Sequence, residues 1–114
     1  DIDKDAFKDC SDLSSITLGN GVINIGSSAF SGCTGLTSIA IPDSVTKIGS
    51  EAFYGCGSLT SIAIPDSVTS IDRRAFYNCT SLKFIYYTGT AAQWAKISKG
   101  SGAIPDGVTI SYNY

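Results

Sequence analysis

Four cysteines and two aspartates are the side chains of this 114-residue chain whose types and spacing could support chemistry. The cysteines recur at a fixed 23-residue interval, and the aspartates repeat at the same interval: Cys10, Cys33, Cys56, Cys79, Asp43 and Asp66. Evenly spaced cysteines suggest disulfides or a metal site, whereas neighbouring carboxylates suggest acid–base catalysis or a calcium site. Which chemistry is possible depends on how the interval places these side chains in space.

The same interval governs a whole set of apolar side chains. Phenylalanine, leucine and isoleucine recur in register with the cysteines: Phe7, Phe30, Phe53, Phe76; Leu13, Leu36, Leu59, Leu82; and Ile16, Ile39, Ile62, Ile85. Columns of this kind predict a solenoid, because one short unit cannot bury its own apolar face whereas stacked coils bury one another's. Each column then runs through the core with a step of about 4.8 Å, the spacing of neighbouring strands.

Each unit begins with a predicted strand. The stretch "LTSIAIP" at positions 36–42 places Ile39 and Ile41 on the inward face and Ala40 on the outward face. Pro42 then ends the strand and, with the aspartate after it, begins a turn.

Two further elements complete the unit. The stretch "SVTKIG" predicts a second short β segment, with Val45 and Ile48 inward and Gly49 permitting the next bend. The stretch "SEAFYGC" predicts one helical or 3₁₀ turn, because its apolar residues recur every three positions.

The repeated pattern C-x-x-L-x-x-I-x-I-P-x-x-V-x-x-I-G-x-x-A-F resembles the BspA-type leucine-rich repeat of bacterial cell-surface proteins. The resemblance covers about Ala6–Tyr87, although Gly19–Asn20 and Thr88–Gly89 replace the Pro-Asp pair in the first and last units. It implies a β-rich, right-handed leucine-rich-repeat coil with the strands on its concave side. It also implies an extracellular or cell-surface location, adhesion to host or microbial proteins, and no cofactor.

After Tyr87 the repeat stops and a C-terminal cap is expected, because terminal coils expose core. The stretch "TAAQWAKI" predicts a short amphipathic helix with Thr90 as its N-cap and Trp94 as the main plug. Its expected apolar face is completed by Ala91, Ala95 and Ile97.

A last strand is expected within "GVTISYNY". Val108 and Ile110 follow Ile85 and Tyr87 at the regular interval, which favours a strand beside the one at 82–87. A rival alignment of "IPDGV" with the earlier "IPDSV" would place this tail beside the second β segments instead.

The other end carries no cap signal. The first strand, Leu13–Leu18, would be an unprotected sheet edge, and the chain has no methionine. We therefore expect one domain spanning 1–114, with repeats over about 6–87 and a cap over about 88–114, cut from a longer protein. Either more coils precede it, or two copies associate end to end through this edge.

Three roles compete for the cysteines. Neighbouring rungs are close enough for a disulfide, but side chains in a ladder point the same way, so a bridge would require twisting. Four sulfurs strung over about 14 Å cannot share one zinc ion, whose bonds to sulfur are about 2.3 Å long. We therefore expect a free cysteine in every coil, filling the same small buried slot.

Catalysis is not expected. The chain has no histidine, so the commonest general base and a Ser-His-Asp arrangement are both absent. Stacking would bring Asp43 and Asp66 near each other, but calcium needs six or more oxygen ligands. We favour solvated aspartates that stabilise their turns, and we expect no enzyme activity, cofactor or bound metal.

Charge and hydropathy exclude two kinds of partner. The net charge is −2, and no basic cluster exceeds Arg73–Arg74, so the chain lacks the electrostatic footprint of a nucleic-acid-binding protein. No apolar run approaches the roughly 20 residues of a membrane span. A protein ligand is the partner that the resemblance to the BspA-type family implies.

Solenoids bind through the face of their strands, and hot spots favour Trp, Tyr and Arg. The candidate surface therefore comprises outward strand residues together with two tyrosines that follow core phenylalanines: Ser38, Ala40, Ser61, Ala63, Lys83, Phe84, Tyr86, Tyr54 and Tyr77. Phe84 and Tyr86 could instead pack under the cap, and the tyrosines could be ordinary surface cover. The alternative function is a structural spacer or C-terminal capping segment with no ligand of its own.

Overall fold

The structure, a computed structural model, describes all 114 residues and is a parallel β-solenoid of about four turns. Two kinds of strand alternate along the chain, and one helix interrupts them near the end. The elements are β1 (Ser15–Thr17), β2 (Asn24–Ile25), β3 (Ser38–Ala40), β4 (Lys47–Ile48), β5 (Ser61–Ile64), β6 (Ser70–Ile71), β7 (Phe84–Tyr87), α1 (Ala91–Lys96), β8 (Ser98–Lys99) and β9 (Thr109–Ser111).

The short strands β2, β4, β6 and β8 form one continuous parallel sheet, which we call the second sheet. Ile25 pairs with Ile48, and Ile48 pairs with Ile71, so the interval of the sequence repeat is the register of the sheet. Ile2 adds an isolated parallel bridge to Ile25 and extends this side by one rung toward the N-terminus.

The longer strands form what we call the main sheet, and it is divided. β1 pairs with β3, and β5 pairs with β7 and β9, but no ladder joins β3 to β5. The Thr37 amide donates to the Ser14 carbonyl (2.9 Å) and the Lys83 amide to the Thr60 carbonyl (2.9 Å). The equivalent bond from Thr60 to Thr37 is missing, so the ladder of the main sheet is interrupted between the second and third coils.

The apolar columns meet in the core as predicted. The four phenylalanine rings form one stack whose neighbouring centroids lie 5.3, 5.4 and 5.1 Å apart, with planes within 6° of parallel: Phe7, Phe30, Phe53 and Phe76. Three of them are fully buried, whereas Phe7 is half-buried because it belongs to the first coil, which is covered on one side only. The core is one cluster of 26 residues.

The predicted helical turn keeps its three-residue spacing but is not a helix. The Tyr54 amide donates to the Glu51 carbonyl (3.1 Å), as in a 3₁₀ turn, yet the Phe53 amide donates to Ala75 of the next coil (2.8 Å). The backbone is left-handed at Glu51 (φ 57°) and Gly55 (φ 72°). This conformation points every second amide toward the next coil, where it can donate a hydrogen bond. The segment is therefore a run of turns that hydrogen-bonds to its neighbouring coil, which a regular helix could not do.

Left-handed residues recur in two columns. Each coil has one member of each column, at positive φ: Asp5, Ser28, Glu51 and Arg74; and Asp9, Gly32, Gly55 and Asn78. Gly49, which was expected to permit the bend that follows it, does not belong to these columns and has no positive φ. A Cβ on Gly49 would lie 2.8 Å from the Ile25 carbonyl oxygen, so glycine is required there for close approach of two coils.

The C-terminal helix α1 has the predicted cap. Thr90 accepts from the Gln93 amide (3.2 Å), while the Gln93 side chain accepts from the Thr90 amide (2.8 Å), which completes a capping box. Trp94 is buried and meets Tyr87 edge to face at 5.1 Å. Ile97 is also buried, but the expected apolar face is wrong at Ala91 and Ala95, which are exposed.

The last coil is complete but irregular. β8 extends the second sheet by pairing Ser98 with Ser70, later in the chain than the regular interval predicts, because α1 is inserted ahead of it. β9 pairs with β7 as predicted, but Ile110 rather than Val108 lies opposite Ile85, so the expected register is wrong there. The rival placement of the tail beside the second sheet is also wrong, because β8 occupies that edge.

Candidate interaction surface

Three of the four cysteines are core residues, as predicted. The thiols of Cys33, Cys56 and Cys79 are buried and donate to the carbonyls of the preceding coil's phenylalanines at 3.1, 3.2 and 3.0 Å. The prediction is wrong for Cys10, which is exposed in the first coil. All four thiols are free, and no three metal-ligating side chains are grouped together.

Two of the buried thiols, Cys33 and Cys56, are poor nucleophiles. Burial, reinforced by the neighbouring Cys56, raises the pKa of Cys33 from 9.0 to about 11. A hydrogen bond with Cys79 raises the pKa of Cys56, and burial acts in the same direction. Both groups therefore stay protonated at neutral pH, where a reactive cysteine would need a thiolate.

The repeated aspartates lie on the surface of their turns. Asp43 and Asp66 are both exposed, and neither carboxylate accepts a hydrogen bond from the protein. The contact at this position comes from the backbone, because the Asp66 amide donates to the Thr88 hydroxyl at 2.8 Å. The arrangement fits solvated turn residues and offers no buried acid–base pair.

The outward face of the main sheet is smooth over its first three rungs. Ser15 lies beside Ser38, and Thr17 lies beside Ala40. On the third rung Ser61 and Ala63 present the same small side chains as the second. This part of the candidate surface carries only small, weakly polar side chains.

The fourth rung differs because it carries large aromatic side chains. Phe84 and Tyr86 stack with their ring centroids 6.0 Å apart, and Tyr114 stacks on the other side of Tyr86 at 4.7 Å. We call these three residues the aromatic row. Phe84 is 43% exposed and Tyr114 is 70% exposed, while Tyr86 between them is half-buried.

Helix α1 does not cover the aromatic row. Helix α1 packs its tryptophan on Tyr87, whose side chain is buried on the opposite face of β7 from Phe84. Phe84 is 43% exposed, whereas the half-buried Tyr86 stacks on Tyr114 of the expected C-terminal cap. Lys83, directly before Phe84, is also exposed and places a positive charge beside the row.

Sequence reasoning missed Tyr114. The tail turns back along β7, where the Tyr114 amide donates to the Tyr87 carbonyl (3.0 Å) and the Asn113 amide to the Gly89 carbonyl (2.8 Å). No periodic signal could reveal this contact, because the tail lies beyond the last repeated column.

The two tyrosines that follow core phenylalanines are stacked at the surface, as predicted. The rings of Tyr54 and Tyr77 lie 5.6 Å apart, and the Arg74 guanidinium lies 5.1 Å from the Tyr77 centroid. This tyrosine pair belongs to the turn segments, so it is separate from the aromatic row on the strands.

The parallel coils, in-register apolar columns and strand face together define a leucine-rich-repeat solenoid. The BspA type Leucine rich repeat region matches residues 1–99 in six copies, and the chain belongs to this family. Proteins with this fold are generally non-catalytic and act as interaction or structural repeat modules. No helix of the chain combines the length and apolar character needed to cross a bilayer.

Solved structures of bacterial proteins share this fold. A leucine-rich cell surface protein of Faecalibacterium prausnitzii is 34% identical over 85% of this chain, with a TM-score of 0.62. A leucine-rich repeat protein of Bacteroides ovatus is 31% identical over 87% of the chain, with a TM-score of 0.67. The chain spans only 32% and 30% of these two proteins.

A third structure agrees in fold alone. The pneumococcal vaccine antigen PcpA is 22% identical over 97% of this chain, which spans 34% of PcpA, with a TM-score of 0.65. A comparison with curated proteins found no match.

Proposed function

We propose that the chain is a non-catalytic adhesion module of a bacterial cell-surface or secreted protein, and that it binds a protein ligand through the aromatic row. The observation that carries the proposal is the contrast along the main sheet. Three rungs present serine, threonine and alanine, and the fourth presents two stacked rings that a third ring extends.

The physical argument concerns where binding energy can come from. Exposed aromatic side chains supply large contact areas and are enriched among hot spots, whereas serine and alanine contribute little. Phe84 and Tyr86 lie on β7, which is hydrogen-bonded to a strand on each side, so these two residues lose little conformational entropy when a partner binds. The smooth rungs beside it, which include Ser38, Ala40, Ser61 and Ala63, would give a partner a flat surface to lie against.

The proposed location at the bacterial cell surface is supported by resemblance to a cell-surface protein that is 34% identical over most of the chain. The non-catalytic character, without cofactor, is supported by the chemistry of the candidate groups. The chain has no histidine, Cys33 and Cys56 stay protonated at neutral pH, and the repeated aspartates are solvated.

An array of purified host and bacterial surface proteins tests the proposal. A protein that the wild-type chain binds should no longer bind the double variant Phe84→Ser/Tyr86→Ser. The matched control is Tyr54→Ser/Tyr77→Ser, which removes the other stacked aromatic pair while leaving the strands unchanged. Thermal melts of both variants separate loss of binding from loss of folding. If the control variant loses binding and the row variant keeps it, the binding site is the tyrosine pair and the proposal is wrong.

The second candidate is a structural spacer or cap of a longer array. One observation favours it: Ser38 and Ala40 of the second coil recur as Ser61 and Ala63 in the third, whereas a tailored binding face usually differs between coils. If no array protein binds, and the row variants only lower the melting temperature, this candidate replaces the first.

A further inference from the structure

The turn after β1 differs in sequence from its equivalents in later coils. Gly19-Asn20-Gly21 stands where the next two coils have Pro42-Asp43-Ser44 and Pro65-Asp66-Ser67. The backbone turn is nevertheless the same, because the Val22 amide donates to the Gly19 carbonyl at 3.1 Å, as Val45 donates to Pro42. Asn20 therefore occupies the position of an aspartate in an otherwise conventional turn.

We infer that Asn20 is a site of spontaneous deamidation, which converts it to aspartate and isoaspartate. The reaction requires the backbone nitrogen of the next residue to reach the side-chain amide carbon. Asn20 and Gly21 are both exposed, the Asn20 side chain has no hydrogen-bond partner, and the Gly21 amide donates to no acceptor. A Cβ at Gly21 would meet nothing within 4 Å, so no neighbouring side chain or coil crowds this glycine.

The chemistry needs only water. The Gly21 nitrogen bonds to the Asn20 side-chain carbonyl carbon, the carbon–nitrogen bond of the amide breaks, and ammonia leaves with the proton from the Gly21 amide. The product is a five-membered succinimide. Water then opens the ring at one of its two carbonyls, giving aspartate with the normal backbone or isoaspartate with the backbone routed through the side chain. Glycine after the asparagine favours ring closure because it has the widest backbone freedom.

The other asparagines lack this combination. Asn24 lies in β2, is followed by isoleucine, and donates its side-chain amide to Asp1 at 3.2 Å. After Asn78, the Cys79 amide donates to Phe76, and after Asn113, the Tyr114 amide donates to Tyr87. These three residues are internal controls within the same molecule.

Deamidation would change the edge of the solenoid in a defined way. The aspartate product gives the first coil the same residue as Asp43 and Asp66, so the solvent-exposed turn edge gains a third carboxylate. The isoaspartate product lengthens the backbone within a turn closed by Gly19 and Val22. The net charge falls from −2 by one unit in both cases.

To test the inference, the intact folded chain is aged in mildly alkaline buffer at physiological temperature. Its peptides are then analysed by mass spectrometry. We expect Asn20 to lose its amide several-fold faster than the other three asparagines, with both product isomers present. The Gly21→Ala variant should slow the reaction at Asn20 several-fold and leave the others unchanged. A synthetic peptide of residues 15–26 gives the rate without the fold.

A rate in the folded chain close to the peptide's supports the inference, because it means that the turn leaves the reaction unrestrained. The inference is overturned if Asn20 reacts no faster than Asn113 in the folded chain. It is equally overturned if Gly21→Ala leaves the rate at Asn20 unchanged, or if folding suppresses the peptide's reaction.

Discussion

The rings of Phe53 and Phe76 lie parallel within 1°, with their centroids 5.1 Å apart, although the two residues belong to successive coils of the solenoid. The same relationship joins Phe30 to Phe53, so each central ring has a neighbour above and below. A buried ring in this stack is covered on both sides, and its removal would leave a cavity that rigid neighbouring coils cannot close.

The stack predicts a strong dependence of stability on position. Phe53→Ala should lower the free energy of unfolding by about 3–5 kcal/mol, the usual range for deleting a buried phenylalanine. Phe7→Ala should cost less, because Phe7 is half-buried at the edge of the same stack. Urea unfolding followed by circular dichroism measures both. Equal losses from the two variants would contradict the predicted difference between the edge and the centre of the stack.

Thiol labelling separates the exposed cysteine from the buried ones. In native protein we expect one thiol, that of Cys10, to react at the rate of a small-molecule thiol. Cys33, Cys56 and Cys79 should react only as the coils open, because they are buried and donate to backbone carbonyls. Ellman's reagent counts the fast thiols, and Cys10→Ala should abolish the fast phase. A remaining fast phase in that variant would show that a second thiol is accessible.

The raised pKa of the Cys33 thiol predicts that the folded chain loses stability at alkaline pH. Its pKa is about 11 in the folded chain against 9.0 when unfolded, so the folded chain holds the proton more tightly. The contribution of this thiol to the free energy of unfolding is therefore complete below about pH 9, and it is lost as the pH rises through 11. The free energy of unfolding should fall less steeply over this range in Cys33→Ala than in the wild type. Cys10→Ala is the control, and identical slopes for all three proteins would contradict the prediction.

Much of this fold follows from the sequence because burial repeats with it. The phenylalanine, leucine and isoleucine columns are periodic in the chain and vertical in the structure, since every coil has the same interior. The spacing failed after Tyr87, where the inserted helix α1 lengthens the coil and brings Ile110, in place of Val108, opposite Ile85. Tyr114 could not be placed at all, because a tail contact has no periodic counterpart.

The sequence did not predict the two columns of left-handed residues, and the reason is physical. Gly32, Gly55 and Asn78 are residue types that tolerate positive φ, but Glu51 and Arg74 adopt the same region without that preference. Hydrogen bonds to the neighbouring coil impose the conformation there. An intrinsic propensity cannot report a constraint that comes from the next coil.

This backbone constraint can be tested by replacing single glycines with alanine. Gly55→Ala should destabilise the chain by about 1–2 kcal/mol, because φ is 72° and an L-residue in that region is strained. A Cβ there would meet nothing within 4 Å, so the loss would come from the backbone alone. Gly57→Ala is the matched control, since Gly57 has no positive φ and its Cβ would lie 3.9 Å from Thr80. Equal effects of the two variants in urea unfolding would rule out the strain argument.

Helix α1 is stabilised at its N-terminus by the Thr90 hydroxyl. Helix α1 has six residues, too few to be stable alone, so its start at Thr90 and its packing through Trp94 must hold it. Thr90→Ala removes the side-chain acceptor of the Gln93 amide and should cost about 1 kcal/mol. Trp94 is the only tryptophan, so its fluorescence during urea unfolding reports the cap directly. Thr80→Ala, at an exposed threonine whose side chain makes no hydrogen bond, is the control. If Thr90→Ala shifts the unfolding transition seen by tryptophan fluorescence no further than Thr80→Ala does, then the packing of Trp94 on Tyr87 holds helix α1 without the N-cap hydrogen bond.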